Sequence, residues 1–261
     1  MRTITLLLIL LFSTFSLQAQ NTVSAESIIE QIDAGEAISI ENATIRGILD
    51  LTAVKNQQTD YSNDYGNGYS IRSYIVQPIR FVNCRFEGKV LGYVNIDKET
   101  GEPVFNANNW MNNRTILRNV DFGEAVLFEN CTFEKDVNFK YTTFNENASF
   151  AGSKFEKDTG FKYTEFDEDA DFSRVVFDDK VTFKYTEFDE AVSFASALFE
   201  EEATFKYTEF SRDTDMSRAV FKDDASFKYV EFPSEMKMEG TDWGPDPDFK
   251  YAKIGKRDFR G

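Results

Sequence analysis

A chain of 261 residues with 41% hydrophobic and 28% charged side chains suffices for one elongated domain or two compact ones. Its 45 acidic residues against 29 basic ones give a net charge of −16, which argues against holding nucleic acid or an anionic membrane by bulk charge. There is no histidine, which removes the commonest general base, the usual metal ligand and any Ser-His-Asp or Cys-His arrangement.

Residues 1–19 read as a secretory signal: a positive start at Met1-Arg2, an apolar stretch Thr3–Leu17 and a small-residue cleavage site at Leu17-Gln18-Ala19, leaving Gln20 as the mature start. The apolar run is shorter than the roughly 20 residues of a spanning helix. No cysteine follows the site to carry a lipid, and no second apolar run appears. An exported protein is therefore expected, periplasmic, cell-envelope or extracellular, with no membrane insertion after cleavage. Removing the signal takes away Arg2 and no acid, so the mature net charge becomes −17.

Residues 20–37 form a capping segment. In Ser24–Ala34, Ile28, Ile29 and Ile32 share one helix face, Ser24 is the N-cap and Gly35 stops the helix. Residues 38–116 read as degenerate first coils, starting with Ile38–Leu51 and resuming at Ile79–Phe86. Two loops interrupt them. Residues 56–74 are polar, contain glycine and carry Tyr61, Tyr65, Tyr69 and Tyr74. Residues 88–113 hold a turn at Asp97–Gly101 between two short strands.

From Leu117 to Ile254 the pattern is unbroken, and residues 255–261 are left as a tail. FKYTTF at Phe139–Phe144 returns every 22 residues as FKYTEF from Phe161, Phe183 and Phe205, FKYVEF from Phe227 and FKYAKI from Phe249. Large apolar positions alternate at spacings of 5 and 6, as in Phe139, Phe144, Phe150, Phe155 and Phe161. Two places before each sits a smaller residue: Val137, Thr142, Ala148, Ser153, Thr159. Residues two apart point the same way in a strand, and a 5/6 period holds no helix face. Each unit thus turns two side chains inward, and four units close one coil of a solenoid.

The spacing resembles the pentapeptide repeat family, in its Phe-centred variant with six-residue units interspersed. That resemblance implies an all-β fold, a right-handed, four-sided β-helix; the 5/6 alternation departs from it and implies a bulge at alternate corners.

Outward positions form columns about 4.8 Å apart. Tyr141, Tyr163, Tyr185, Tyr207, Tyr229 and Tyr251 make an aromatic ladder, beside a lysine column that includes Lys140, Lys162, Lys184, Lys206, Lys228 and Lys250. Glu165, Glu187, Glu209 and Glu231 form an acidic column across the next corner. The columns read either as a platform for a glycan or partner protein, or as packing and solvation that any solenoid repeats. The acidic corners lack a glycine-containing calcium loop, so no metal site is expected, and no cofactor. Carboxylate pairs for glycoside hydrolysis occur throughout and are distinguished nowhere, which argues against an enzyme. Cys84 and Cys131 share the frame Phe81–Phe86 and Phe128–Phe133, both at the small inward position of adjacent coils. Either a disulfide or two packed thiols fits that placement.

The leading expectation is an exported, non-catalytic interaction scaffold that binds an unknown protein or glycan, a second copy of itself as a homodimer included. A carbohydrate-binding surface on the ladder or the Tyr61–Tyr74 loop is one alternative. The other follows from the resemblance, since some members of the family are acidic DNA mimics that occupy topoisomerases. The lysine columns and the export signal argue against it.

Overall fold

The computed structural model describes residues 21–61, 69–101, 103–104 and 115–259; the expected signal and cleavage site lie outside them. After Phe139 one coil passes through four two-residue strands, Thr143–Phe144, Ala148–Ser149, Lys154–Phe155 and Thr159–Gly160. Each pairs in parallel with the strand 22 residues on, so that Phe144 meets Phe166, Ala148 meets Ala170, Phe155 meets Phe177 and Thr159 meets Val181. Repetition builds four walls, first to fourth in that order; among the described residues the second, third and fourth are sheets of seven, eight and seven strands, and the first lies in a sheet of twelve that also takes in strands outside the coil. The fold is a β-helix with a four-sided coil.

The interior is built of phenylalanine. Rings of successive coils lie face to face, as Phe161 on Phe183 (5.0 Å, 3°) and Phe144 on Phe166 (4.8 Å, 3°). Rings of neighbouring walls meet edge to face, as Phe166 and Phe172 at 84°, and so do rings of opposite walls, as Phe161 and Phe172 at 84°. Both are preferred aromatic geometries, so each buried ring gains from several partners at once. The small inward residues do more than leave room. Thr164, Thr186 and Thr208 donate their buried hydroxyls to the carbonyls of Phe139, Phe161 and Phe183 one coil before, at 2.6–2.7 Å. Ser153 does the same to Phe128.

Two kinds of corner alternate. In the five-residue units the chain turns through a left-handed residue, at φ 57° for Tyr141 and Tyr163, 67° for Gly152 and 55° for Arg174. The six-residue units turn through longer polar bends such as 145–147 and 156–158. The extra residue therefore does sit at alternate corners.

Both ends are closed. The helix α1 (Ala25–Asp33) starts where the Ser24 hydroxyl accepts from the N–H of Ser27, and it buries Ala25, Ile28 and Ile32 on the first coil. Ahead of it Asn21–Ser24 is a strand, parallel to Ala43–Arg46, that extends the third wall. At the other end the expected tail is instead a lid. Arg257–Asp258 folds back antiparallel on Lys253–Ile254 and sets Phe259 against Phe232, Trp243 and Phe249. Apolar rings of a last coil need such a cover. Met238, which occupies the Phe position of the last coil on the second wall, lacks one and is 38% exposed.

The two interruptions leave the helix at one place. Leu49 pairs with Val90 and Val90 with Val137, 41 and 47 residues apart where the regular coils have 22. The excess lies each time between the fourth wall and the first, from Leu49–Asp50 to Tyr74–Ile75 and from Val90–Leu91 to Asp121–Phe122. The expected loop over 56–74 carries strands at its ends, Gln57–Asp60 antiparallel to Ser70–Ile75. The second interruption starts later than position 88, because Val90–Leu91 is still a wall strand. It forms Tyr93–Asp97 and Pro103–Val104 around the expected turn. With Thr115–Phe122 these strands make a five-stranded flap. Its order is 57–60, 70–75, 115–122, 93–97, 103–104, and it is continuous with the first wall. A polar, tyrosine-rich composition looked like loop because strands that stand clear of the coil have no inward face to fill.

Thr186→Val keeps the shape of the side chain and removes its donation to Phe161. It should cost about 1–2 kcal/mol in denaturant unfolding, and Thr186→Ser should recover most of the loss. Phe183→Ala, which opens a ring-sized void, should cost about 3–5 kcal/mol.

Candidate functional site

The corner between the fourth and first walls closes in the regular coils by the four residues Phe-Lys-Tyr-Thr. The Thr142 N–H donates to the Phe139 carbonyl at 3.1 Å, and the equivalent bond recurs in each later coil. A positive φ at the third residue, with this bond, is the geometry of a type II turn, in which glycine or asparagine is usual. Here tyrosine stands there six times, at φ 57–64°. A bulky residue in that region costs on the order of 1 kcal/mol. Stacking offsets the strain: the rings lie 4.7–4.9 Å apart, within 1–9° of parallel from Tyr141 to Tyr229. In four of the turns the lysine then folds over its own ring, with Nζ at 4.6, 4.8, 5.0 and 5.1 Å for Lys140, Lys162, Lys184 and Lys250.

The flap continues this ladder. Tyr93 packs on Tyr141 at 5.7 Å, so Lys140 lies over two rings, at 4.8 and 4.6 Å. Asn119, buried beside them, donates to the Tyr141 carbonyl at 2.7 Å. Gly92 has to be glycine, since a Cβ there would lie 2.5 Å from the Phe139 ring. Burial pushes Tyr93 up to about 12. Burial, then the charge of Lys162, lowers Lys140 from 10.5 to about 8.

On the first wall the outward column runs Tyr74, Asp121, Thr143, Glu165, Glu187, Glu209, Glu231. Asp121 is buried and salt-bridged to Arg72 at 3.1 Å, yet desolvation raises its pKa more than Arg72 lowers it. Burial, then Glu165 and Glu209, raises Glu187. A shallow groove of about 400 Å³ lies between ladder and acidic column, lined by Tyr207, Glu209, Phe210, Ser211, Tyr229 and Glu231.

The expected candidates thus fall into three groups. The six ladder tyrosines and Lys162, Lys184 and Lys206 share one corner. Of the loop tyrosines, Tyr61 and Tyr69 pack together at 5.8 Å near the flap's tip, where Lys98 of the second insertion reaches the Tyr69 ring. Tyr74 sits on the first wall, and Tyr65 lies outside the described residues. Cys84 and Cys131 are free thiols, buried in the core away from this face, so no disulfide joins them. They sit just before Arg85 and Thr132, which pair across the coils, and share a hydrogen bond that lowers Cys84 to about 7 and, with burial, pushes Cys131 up. Among the described residues no cluster of carboxylates or thiols is placed to hold a metal ion.

Sequence reasoning missed Arg72, Tyr93, Asn119 and Asp121, and that both insertions and the ladder share a corner. The signal was there: counting the 5/6 register through 38–122 puts both insertions between the same two walls.

Tyr185→Gly and Tyr185→Ala both remove a ring from the stack, but only glycine relaxes at φ 58°. The glycine variant should unfold at a higher denaturant midpoint, by about 1 kcal/mol; the reverse order would contradict a left-handed corner. For Lys140, folded pKa below unfolded means that the unfolded chain binds more protons between about 8 and 10.5. Its contribution to stability therefore rises with pH through that window. The unfolding free energy of wild type relative to Lys140→Met should climb from pH 8 to pH 10, whereas a flat difference would refute the depressed pKa.

Residues 117–165 and 161–209 match the family model described as pentapeptide repeats (9 copies). Comparisons with the curated proteins and with the solved structures found no match. The pairing register of the matched span continues to Ile254 and, across both insertions, back to Ile38. Over residues 117–209 the chain is similar to the pentapeptide repeat family.

Proposed function

We propose that this protein is an exported, non-catalytic scaffold that docks a partner protein on the flap and the adjoining first-wall face. One observation carries the reading: two insertions, 41 residues apart at their start, leave the β-helix at one corner and join in one sheet with the wall below. A solenoid gains nothing in coil stacking from strands that project beyond its corner, and departures from a repeat are where specific surfaces arise. The flap offers mixed chemistry, with Tyr61, Tyr69 and Tyr74 beside Arg72, Lys98 and Gln58. Export rests on the signal pattern at residues 1–19. The ladder is a poorer platform for sugar stacking than the flap is for a protein, because its ring faces already cover one another. Tyr251, 59% exposed at the end of the stack, is the ring left with the most open face.

The regular coils provide a clean test. Replacing 51–73 and 92–120 each by Phe-Lys-Tyr-Thr restores the 22-residue spacing. Intact protein should retain a specific partner from the exported fraction of its host. The double replacement and a Tyr61→Ala/Lys98→Ala variant should lose it, while Lys154→Gln on the third wall should not. Equal retention by all forms would remove the flap as the docking face, and a protein confined to the cytoplasm with residues 1–19 intact would remove export.

A further inference from the structure

On the fourth-wall side of the tyrosine ridge runs a second strip that the flap leaves open. Lys140, Lys162, Lys184 and Lys206 follow one another down successive coils, and none is ion-paired among the described residues. Basic side chains on the other walls do find acids, as Lys154 with Asp178, Lys180 with Glu202 and Lys222 with Glu200; in the column itself the next lysine, Lys228, is paired with Asp248 and ends the unpaired run. The first three lysines instead lie in one another's fields: burial and then Lys162 lower Lys140, and burial and then Lys184 lower Lys162. The tyrosine ladder positions them, since each of the first three ammonium groups is held within 4.6–5.0 Å of its own ring. Their repeat therefore follows the rings, at 4.7–4.9 Å.

Beside the lysines the outward column of the fourth wall is uncharged: Asn138, Gly160, Thr182, Thr204, Ser226. The hydroxyl oxygens of Thr204 and Ser226 are buried and have no hydrogen-bond partner. Each step of this strip thus offers an ammonium group beside an uncharged wall. Acidic columns border it on both sides, with Glu165, Glu187 and Glu209 across the ridge and Asp136, Asp158 and Glu202 further along the wall. The result is a narrow basic track, one residue wide, on an acidic protein. Screening over about 8–10 Å leaves the near lysines dominant for a ligand seated on the track, while a broad polyanion such as a duplex would overlap the acidic borders.

Pitch then selects among single chains. Alternate side chains of an extended peptide fall about 6.8 Å apart, and phosphates along one strand of a nucleic-acid helix about 3.4 Å of axis apart. A linear polyuronate carries one carboxylate per pyranose ring, a repeat close to the separation of stacked strands. We propose that the Lys140–Lys206 track binds a single chain of a linear polyuronate along the axis of the β-helix. This site touches the flap where Lys140 packs on Tyr93; its test leaves Lys140 and the flap unchanged and so stands or falls apart from what the flap docks.

Titration calorimetry of the full exported chain with oligogalacturonates of two, four and eight residues tests it. Affinity should rise with length as further carboxylates engage consecutive lysines, and should fall as salt is added. Methyl-esterified octamer should not bind. Lys162→Gln/Lys184→Gln/Lys206→Gln keeps the side-chain stems over the rings. It should weaken the octamer at least tenfold at an unchanged melting temperature, whereas Lys154→Gln should leave it unchanged. Binding that is as tight to inorganic polyphosphate, to the methyl ester or to the triple variant would overturn the assignment, as would no binding of the octamer at low salt.

Discussion

Each wall depends on a ring having a ring above and below it. A phenylalanine pair at 4.3–5.7 Å and nearly parallel fixes the rise between coils, because that spacing must match the separation of hydrogen-bonded strands. The two requirements agree, so the same displacement satisfies rings, backbone ladder and threonine hydroxyls together. Burial of about 1.5–3 kcal/mol per ring is then gained four times in every regular coil without distorting any of them. Where the column changes residue, to Met216 or Trp243, the stack persists, with Trp243 still 10° from the plane of Phe221. The constraint is on a flat or flexible apolar body at that position more than on phenylalanine itself.

Much of this was legible beforehand for a physical reason. Inward positions of a strand are two apart, and a buried column tolerates few substitutions, so Phe144, Phe166, Phe188 and Phe210 display the architecture openly. Surface geometry leaves no such mark. Nothing about Tyr163 in sequence says that it sits at φ 57°, where glycine would be expected, because the compensation comes from Tyr141 and Tyr185 in other coils. The C-terminal lid escaped notice because Phe259 falls outside the 5/6 register: it returns by a hairpin instead of continuing the coil. The flap strands were hidden by composition, since Gln57–Asp60 and Ser70–Ile75 satisfy backbone pairing while presenting polar side chains. At the candidate face the ladder was readable from periodicity, and the partners from the insertions, Arg72, Tyr93 and Asp121, were not.

The corner between the fourth and first walls shares its tight turn with the corner between the second and third, where Gly152, Arg174, Ser196 and Arg218 hold the left-handed position, and differs in carrying tyrosine there in every regular coil. Its regular form is a tight turn whose third residue points outward with no neighbour along the wall, so the side chain meets only its own kind in the coils above and below. A column of that sort can grow long side chains, as it does with tyrosine, without disturbing either wall. It can also be opened, because the chain leaves and re-enters at nearly the same point. Asp50 and Tyr74, the ends of the first insertion, occupy fourth-wall and first-wall positions that a four-residue turn spans elsewhere. Insertion at this corner leaves the phenylalanine columns intact, and the pairing of Ile45 with Phe86 and of Phe86 with Phe133 shows the stack resuming in register each time.

Charge follows from the same geometry. In a stack of parallel coils like residues lie above like, so any outward column of acids repels itself, and Glu187 between Glu165 and Glu209 carries that cost in a raised pKa. The chain relieves it by alternation along a column, with Lys180 set against Glu202 and Lys222 against Glu200, each an exposed pair of small individual worth. At the tyrosine corner Lys228 is paired with Asp248, but Lys140, Lys162 and Lys184 receive no such relief from carboxylates. They are accommodated by the rings, whose faces attract a cation weakly and leave its charge uncompensated. A column stabilised by aromatic contact yet still positive is a surface that the fold tolerates and does not need, and that asymmetry distinguishes it from the paired columns on the other walls.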